Sequence, residues 1–336
     1  MRIIAIIVAT ECVNHMEVVM PIKIPDQLPA RQVLESENIF VITEYRAIHQ
    51  DIRPLNLLIL NLMPTKIVTE NQLLRKLSNS PLQVHLQFLQ TASYIPRHAD
   101  PYHMESFYTT FSEIEDRYYD GMIITGAPLD LIEYEDVNYW PELCKIMEWT
   151  RTHVHCTMHI CWGATAALYY HFNIPTITYP EKLSGVYLNK VMKWTSPLFR
   201  GFDDVFWAPH SRQIGVDAAD IAKVPELELM ADSEQAGPTI VKTTDSRYFF
   251  VLCHLEYDRD TLKLEYVRDL EKGIDPKVPC NYFPEDDPEK DPIVKWRAAG
   301  QLMYSNWLNY YVYQTTPYDV KEKKTRLGND WESPKY

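Results

Sequence analysis

A cysteine stands where an apolar segment changes into an alanine-rich one. Cys161 follows the strand candidate 153–160 and precedes the helix candidate 163–170. A thiol at the first turn of a helix meets unpaired N–H groups and the positive end of the helix dipole, which stabilise the thiolate. Gly163 relieves crowding in so sharp a turn. The pattern predicts a nucleophilic cysteine at a strand-to-helix turn.

A general base is available at the end of another strand candidate, 248–253. His254 and Glu256 follow it directly. Residues i and i+2 of an extended chain face the same way, so the two side chains can point together towards one edge of the sheet. Glu256 would then orient the imidazole while His254 serves Cys161, which is the order of a nucleophile, base and orienting acid.

Two other interpretations of these residues have to be weighed. A lone buried cysteine is more often part of a core than catalytic, and the remaining cysteines are expected to be reduced and inert: Cys12, Cys144, Cys156, Cys253 and Cys280. A zinc site is conceivable on one face of the strand candidate, formed by His153, His155, His159 and Cys161. The spacing along a strand lets at most two neighbours share one ion, which disfavours zinc.

The elements that must position these residues alternate along the chain. Strand candidates are 55–62, 83–89, 121–125, 153–160 and 248–253, and helix candidates are 70–77, 139–152, 163–170, 259–272 and 294–311. Strands alternating with helices indicate an α/β fold with a mainly parallel sheet and helices on both faces. Chemistry is then expected at the carboxyl edge of that sheet.

Composition excludes several classes of function. The 336 residues carry a formal net charge of −13, which disfavours nucleic-acid binding. Only 10 glycines are present against 23 prolines, and neither common phosphate-binding glycine motif occurs. The apolar run near the N-terminus is too short to span a membrane. We interpret residues 1–19 as an uncertain leader, 20–320 as a single domain and 321–336 as a charged tail.

The residues quoted above carry a family resemblance. Cys161-Trp-Gly and His254-x-Glu256, with Thr125-Gly-Ala-Pro128 before them, resemble the homoserine O-acyltransferases, both O-succinyl and O-acetyl, of methionine biosynthesis. Further matching segments are 52–55, 60–64, 69–72, 77–83, 181–187, 200–204, 208–212 and 306–313. The resemblance covers roughly residues 20–320. It implies a class I glutaminase-like (flavodoxin-like) three-layer α/β sandwich with N- and C-terminal additions.

The resemblance also implies roles for individual residues. Cys161 would attack the acyl-CoA thioester and become acylated, His254 would accept the proton and Glu256 would orient it, in a ping-pong scheme. Backbone N–H groups near residues 127–129 and of Trp162 would form the oxyanion hole. Lys182, Ser211 and Arg268 match the family's amino-acid substrate positions, and Lys66 matches a lysine associated with CoA contact. Without the resemblance, these last four side chains would be expected on the solvated surface.

Two positions depart from the family pattern. Thr165 stands where the family often has Gln, which leaves the local hydrogen bonding open. Asp130 stands where Gly accompanies succinyl-CoA and Glu accompanies acetyl-CoA. A carboxylate there would repel the free carboxylate of a succinyl group, so acetyl-CoA is the expected donor.

These observations together predict a cytoplasmic homoserine O-acetyltransferase. Its partners would be acyl-CoA and L-homoserine, and it would form a homodimer that binds neither nucleic acid nor membrane, without a cofactor or metal. Three alternative enzymes stay open: a homoserine O-succinyltransferase, a serine O-acetyltransferase and, more distantly, a glutamine amidotransferase. A non-catalytic binding protein on the same fold is the remaining alternative.

Overall fold

The computed structural model describes residues 22–25, 27–36, 41–43, 54–93 and 100–316. The expected leader, 1–19, and the charged tail, 321–336, lie outside the described residues, as does Cys12. Among the described helices, none is both long and apolar enough to cross a membrane.

Twelve strands form one sheet within the described residues. In chain order, β1 to β12 are Ile22–Ile24, Val41–Thr43, Leu55–Leu60, Val84–Leu89, Tyr108–Thr109, Tyr119–Ile124, Val154–Ile160, Ile177–Val191, Val205–Gly215, Leu227–Ser233, Gly237–Thr243 and Tyr248–Val251. Their spatial order is β2-β1-β4-β3-β6-β7-β12-β11-β10-β8-β9, with β5 paired to β4. The neighbours from β2 to β12 pair in parallel, and those from β12 to β9 pair antiparallel.

Helices cover both faces of this sheet. In chain order, α1 to α8 are Ala30–Ser36, Lys66–Leu77, Pro101–Phe107, Trp140–His153, Trp162–Phe172, Ala218–Ile221, Thr261–Glu271 and Arg297–Asn306, and a π-helix continues the last one over Trp307–Tyr313.

The strands pack against the two helical layers in alternation. Leu57 and Ile59 of β3 join one buried cluster with α1, α2 and α8, whereas Leu58 and Leu60 join another with α4 and α5. Successive residues of a strand face opposite sides of a sheet, so this division follows from the strand itself. The three-layer α/β sandwich with a mainly parallel sheet is confirmed.

The expected elements lie where the sequence indicated, with different bounds at several ends. The helix expected at 70–77 begins at Lys66, and the one expected at 294–311 begins at Arg297 and continues as a π-helix to Tyr313. The antiparallel extension formed by β8 to β11 was not anticipated. Much of β8 is exposed or half-buried, so it lacks the apolar run by which the central strands can be recognised.

Candidate active site

Cys161 occupies the sharp turn between β7 and α5. Its backbone lies at φ 51° and ψ −118°, a conformation that residues with a side chain rarely adopt. The Cys161 N–H donates to the Val251 carbonyl of the neighbouring strand at 2.8 Å. Its carbonyl accepts from the N–H groups of Ala164 and Thr165 in the first turn of α5. Sheet and helix together hold the thiol at the carboxyl edge of the sheet.

Two glycines make room for this turn. A Cβ at Gly163 would lie 2.6 Å from the Thr125 carbonyl oxygen, so no larger residue fits without a shift of backbone. A Cβ at Gly126 would lie 3.1 Å from the Cys161 Cβ. The loop after β6 therefore passes directly beside the nucleophile. The expected strand-to-helix placement of Cys161 is confirmed.

His254 and Glu256 follow β12, at the same edge. The His254 Nδ1 lies 2.6 Å from the Glu256 Oε1, and His254 also interacts electrostatically with Cys161. The His254 backbone N–H donates to the Pro209 carbonyl at 2.8 Å, which fixes the strand end. The structure thus brings Cys161, His254 and Glu256 together in the order expected of a nucleophile, base and orienting acid.

The charge state of His254 depends on its two partners. Burial by itself would lower the pKa of His254, but its electrostatic interactions with Cys161 and Glu256 and its hydrogen bond with Glu256 raise that pKa well above 6.5. This favours the imidazolium form of His254 beside Cys161. A thiolate is the nucleophilic form of cysteine.

Three further side chains support this base, and the sequence interpretation did not include them. The Tyr257 ring stacks on His254 with centroids 4.1 Å apart. Tyr304 of α8 places its hydroxyl 3.5 Å from the Glu256 Oε2. Lys76 of α2 is buried and interacts electrostatically with Glu256. Only Tyr257, next to Glu256 in the chain, had a signal that could have suggested it.

The histidines of the zinc alternative do not converge. His153 ends α4 and stacks on Trp149, and His155 bonds to Thr315. His159 is buried against Phe250, with ring centroids 5.3 Å apart. Across the described residues, the structure has no group of three or more His, Cys, Asp or Glu side chains that could hold a metal ion. The strand begins at Val154, so His153 lies outside it and does not share the strand face of His155 and His159.

The other described cysteines are free thiols buried or half-buried in the packing. Burial raises the pKa of Cys253, and it raises the pKa of Cys144 to about 12. A thiol with a raised pKa is a poor nucleophile at neutral pH.

Two of the expected substrate residues meet at a glutamate that the sequence did not single out. The Ser211 hydroxyl donates to Glu265 Oε2, and the Lys182 ammonium lies 3.5 Å from the same oxygen. The other carboxylate oxygen accepts from the Tyr257 hydroxyl at 3.1 Å. Glu265 therefore connects Ser211 and Lys182 to the tyrosine that stacks on His254. Nothing in the amphipathic pattern of α7 distinguishes this residue from its neighbours.

Arg268 lies one step further from this cluster. Its guanidinium pairs with Asp269 at 2.7 Å, and its side chain is about half exposed. Asp269 is also 3.8 Å from the Lys182 ammonium. Arg268 is therefore connected to the cluster through Asp269, and it is on the surface, as expected without the resemblance. Lys182 is partly exposed.

Asp130 lies beside the same region. Its Oδ2 accepts from the Gln213 N–H of β9 at 2.6 Å. Burial raises the pKa of Asp130, opposed by that hydrogen bond and by the positive charges of Lys182, His254 and Arg212. These electrostatic partners place the carboxylate between the triad and the substrate cluster.

Lys66 is buried, and the expectation of a surface position for it was wrong. Its ammonium donates to the Asn61 carbonyl at 2.5 Å and lies 5.7 Å from the centre of the Tyr108 ring. Burial lowers the pKa of Lys66 to about 8, and the nearby Glu70 opposes the shift. The Lys66 ammonium therefore lies near Asn61 of the loop after β3 and near Glu70 of α2.

Not all of the expected oxyanion-hole N–H groups are available to a substrate. The Leu129 N–H donates to the Ala127 carbonyl at 2.9 Å, and Pro128 has no N–H. Ala127 is the remaining donor of that segment. Trp162 is the first residue of α5, where N–H groups lack partners within the helix. The structure thus leaves the N–H groups of Ala127 and Trp162 as the candidates.

Thr165 finds its hydrogen bonds within its own helix. Its hydroxyl donates to the Trp162 carbonyl at 3.0 Å, and its N–H donates to the Cys161 carbonyl at 3.1 Å. A threonine in this position is therefore compatible with the nucleophile turn.

An α/β sandwich with a cysteine, histidine and glutamate at its carboxyl edge defines a class of enzymes that use a cysteine nucleophile. A family model described as HTS, homoserine O-succinyltransferase, matches residues 21–318. The chain belongs to this family, and it is an acyltransferase.

Curated relatives named homoserine O-acetyltransferase match over nearly the whole chain. One from Acetivibrio thermocellus is 54% identical over 305 residues, covering 91% of this chain and 100% of its own length. One from Methanomethylophilus alvi is 52% identical, covering 93% of this chain and 100% of its own length. One from Thermotoga petrophila is 55% identical, covering 90% and 99%.

A solved structure shares the fold at low sequence identity. The crystal structure of SMU.1228c has a TM-score of 0.50 at 14% identity, covering 75% of this chain and 97% of its own. A glutamine amidotransferase from Thermotoga maritima has a TM-score of 0.48 at 13% identity, covering 76% of this chain and 98% of its own.

Proposed function

We propose that the protein is a homoserine O-acetyltransferase that transfers acetyl from acetyl-CoA to the hydroxyl of L-homoserine through an acyl-Cys161 intermediate. The observation that supports this most directly is that Cys161, His254 and Glu256 lie together at the sheet edge, with His254 bonded to Glu256 and interacting electrostatically with Cys161. Relatives that cover almost the entire chain and are named for this reaction support the substrates.

The first half-reaction acylates the enzyme. The Cys161 thiolate attacks the carbonyl carbon of the thioester while His254 holds the proton. The carbon–sulfur bond to CoA then breaks, and His254 gives its proton to the departing CoA sulfur. The N–H groups of Ala127 and Trp162 would stabilise the oxyanion that forms between these two events.

The second half-reaction transfers the acetyl group. His254, now neutral, takes the proton from the homoserine hydroxyl, and the oxygen attacks the acyl-cysteine carbonyl. The Cys161 carbon–sulfur bond breaks, so that the thiolate and the imidazolium are restored together. Glu256 keeps the imidazole oriented through both steps.

The amino-acid end of homoserine would bind at the cluster around Glu265. Its ammonium is matched by the Glu265 carboxylate, and its carboxylate by Lys182 and Arg268. Ser211 donates to Glu265 and would hold that carboxylate in place. This pocket would accept a hydroxy amino acid beside the base, because Tyr257 joins Glu265 to His254.

A succinyl donor is the second candidate, because the family model itself bears that name. The charge of Asp130 argues against it, since a half-buried carboxylate would face the succinyl carboxylate. Asp130→Gly is expected to raise kcat/KM for succinyl-CoA at least tenfold relative to acetyl-CoA, by about 1.4 kcal/mol or more. Asp130→Glu, which keeps the charge, should leave the preference for acetyl-CoA intact. Equal use of both donors by the unaltered protein would contradict the role of Asp130.

A panel of donors and acceptors tests the reaction as a whole. Release of free CoA would be measured with acetyl-CoA or succinyl-CoA and with L-homoserine or L-serine, and glutamine hydrolysis would be measured in parallel. We expect acetyl-CoA with homoserine to give the highest kcat/KM and glutamine to give none. Preference for serine would identify a serine O-acetyltransferase, and glutaminase activity an amidotransferase.

The proposal includes no cofactor beyond the acyl-CoA co-substrate, a cytoplasmic location and a homodimeric state. Light scattering during size-exclusion chromatography would measure the mass in solution. A mass equal to that of one 39.4 kDa chain would contradict the dimer without affecting the proposed reaction.

A further inference from the structure

A cleft opens beside the loop that follows β6. It has a volume of about 250 Å³, and its main lining residues are Leu62, Pro64, Ala127, Leu129, Ile132 and Tyr139. Leu62 and Pro64 follow β3, and the others follow β6, so the cleft lies at the carboxyl edge of the sheet. No step of the proposed mechanism has assigned it an occupant.

The cleft adjoins the catalytic triad through two shared walls. Met63 and Gly126 line the small pocket at His254 and Glu256, whereas their neighbours in the chain line the outer cleft. The Leu62 N–H donates to the Thr125 hydroxyl at 2.8 Å, which fastens one wall to the other. A ligand seated in the cleft therefore has its inner end next to the loop that touches Cys161.

The chemistry of the lining indicates an uncharged ligand of mixed character. Most lining side chains are apolar, Asp136 and Asn138 are polar, and the lining, all of it described, includes no lysine, arginine or histidine. Phosphates need cations or clustered N–H groups, and Asp136 would repel them. An extended aliphatic arm with a few amide groups matches this surface.

We propose that the cleft holds the pantetheine arm of the acyl-CoA donor, with its thioester directed past Ala127 to Cys161 and its phosphates outside. The proposal rests on the proposed function, because it places the donor of that reaction. The arm is the uncharged portion of CoA that carries the sulfur, and the cleft, which has no cationic side chain in its lining, adjoins the nucleophile.

Two neighbouring exposed residues allow a matched test. Ile132 lines the cleft and Leu131 does not, and their side chains are 46% and 69% exposed, so a glutamate at either position should be compatible with folding. The variants are Ile132→Glu and Leu131→Glu. The donors are acetyl-CoA and the acetyl thioester of N-acetylcysteamine, which has the same reacting group but only a short piece of the arm.

Ile132→Glu is expected to raise the KM for acetyl-CoA about tenfold with little change in kcat, because it removes binding shared by ground and transition states. Its rate with the short thioester should stay within about twofold of the unaltered protein. Leu131→Glu should match the unaltered protein with both donors. Equal behaviour of the two variants, or an equal loss with both donors, would overturn the proposed cleft. Failure of the unaltered protein to be acylated by either donor would instead refute the proposed function, and this inference with it.

Discussion

Cys161 has an unfavourable backbone conformation that neighbouring elements hold in place. A non-glycine residue at φ 51° costs on the order of 1–3 kcal/mol. A hydrogen bond that Cys161 donates to β12, two that it accepts from α5 and the close approach of Gly126 hold the residue in that conformation. Strain of this kind is concentrated at functional sites, and here it directs a thiol towards a base.

The pKa of His254 should change between the two half-reactions. In the free enzyme, the Cys161 charge is one of the causes that raise the pKa of His254 well above 6.5. Acylation removes that charge, so the pKa of His254 should fall and a neutral base should become available for the acceptor hydroxyl. We expect acyl transfer to homoserine to titrate at a lower pH than His254 of the free enzyme does.

Two measurements check this. Single-turnover discharge of the acyl-enzyme by homoserine would be followed against pH, and His254 of the free enzyme would be titrated by NMR of labelled histidine. Coincidence of the two titrations within about 0.3 pH unit would contradict the expected effect of the Cys161 charge.

The catalytic residues could be predicted from the sequence, but several of their neighbours could not. Cys161, His254 and Glu256 are adjacent to recognisable apolar strands, so their location follows from local pattern. Glu265 and Lys76 lie on amphipathic helices with nothing to distinguish them from solvated residues. Their roles depend on tertiary packing, which a single sequence does not reveal.

Helices α2 and α8 meet behind Glu256. A Cβ at Gly300 of α8 would lie 2.4 Å from the Leu255 carbonyl oxygen and 3.1 Å from the Lys76 ammonium, so this glycine allows both to approach. Tyr304, one turn further on, contacts Glu256. The helix pair thus places a buried lysine and a tyrosine hydroxyl next to Glu256.

Lys76→Met is expected to slow the discharge of the acyl-enzyme below about pH 8. Burial lowers the pKa of Lys76 to about 8, although Glu256 and Asp258 favour its charged form, whereas Arg297 and Arg75 disfavour it. Below that pH the ammonium offsets the Glu256 charge and lets His254 release its proton more readily. Without it, the pH profile of discharge should move upward by roughly half to one unit.

The effect should vanish above about pH 8, where Lys76 of the unaltered protein is itself neutral. Other charged and titratable groups near Glu256 are His254, Tyr257, Tyr304, Cys253 and Cys161. Arg75→Met is the matched control, because Arg75 is the adjacent residue and pairs with Asp258. A uniform loss at every pH in Lys76→Met, or the same shift in Arg75→Met, would indicate a merely structural role.

The central strands could be predicted, whereas the antiparallel extension could not. Strands β3, β6 and β7 are almost entirely buried and are rich in apolar residues. Strands β8 and β9 instead mix exposed, charged and buried residues, and β8 contains an irregularity between Thr178 and Leu183. Their pairing supplies Lys182 and Ser211, so the substrate cluster depends on the part of the fold that pattern alone could not locate.

His159 and His171 are buried between the sheet and α5. His159 stacks on Phe250, and its ring lies 6.4 Å from that of His171. Burial lowers the pKa of His159 to about 3, offset only in part by a backbone hydrogen bond at Phe249, and it lowers the pKa of His171 well below 6.5. Both rings are therefore neutral in the folded protein at physiological pH.

Stability should decrease as the pH falls below 6.5. The unfolded chain then binds protons at these histidines while the folded protein does not, so each lowered pKa costs about 1.4 kcal/mol per pH unit until the folded group titrates. When the pH is lowered from 7.5 to 5, the unfolding free energy of His159→Phe should decrease by roughly 2 kcal/mol less than that of the unaltered protein. Urea unfolding at the two pH values measures it, with His155→Gln as the control from the same strand. An unchanged pH dependence in His159→Phe would contradict the neutral buried ring.

The most direct test of the central claim is detection of the acyl-enzyme on Cys161. The protein would be mixed with acetyl-CoA without acceptor, quenched in acid and analysed by peptide mass spectrometry. We predict one acetyl group on the peptide that contains Cys161, its disappearance when homoserine is added before the quench, and its absence in Cys161→Ala. An acetyl group that persists in Cys161→Ala, or one that homoserine does not discharge, would contradict the account.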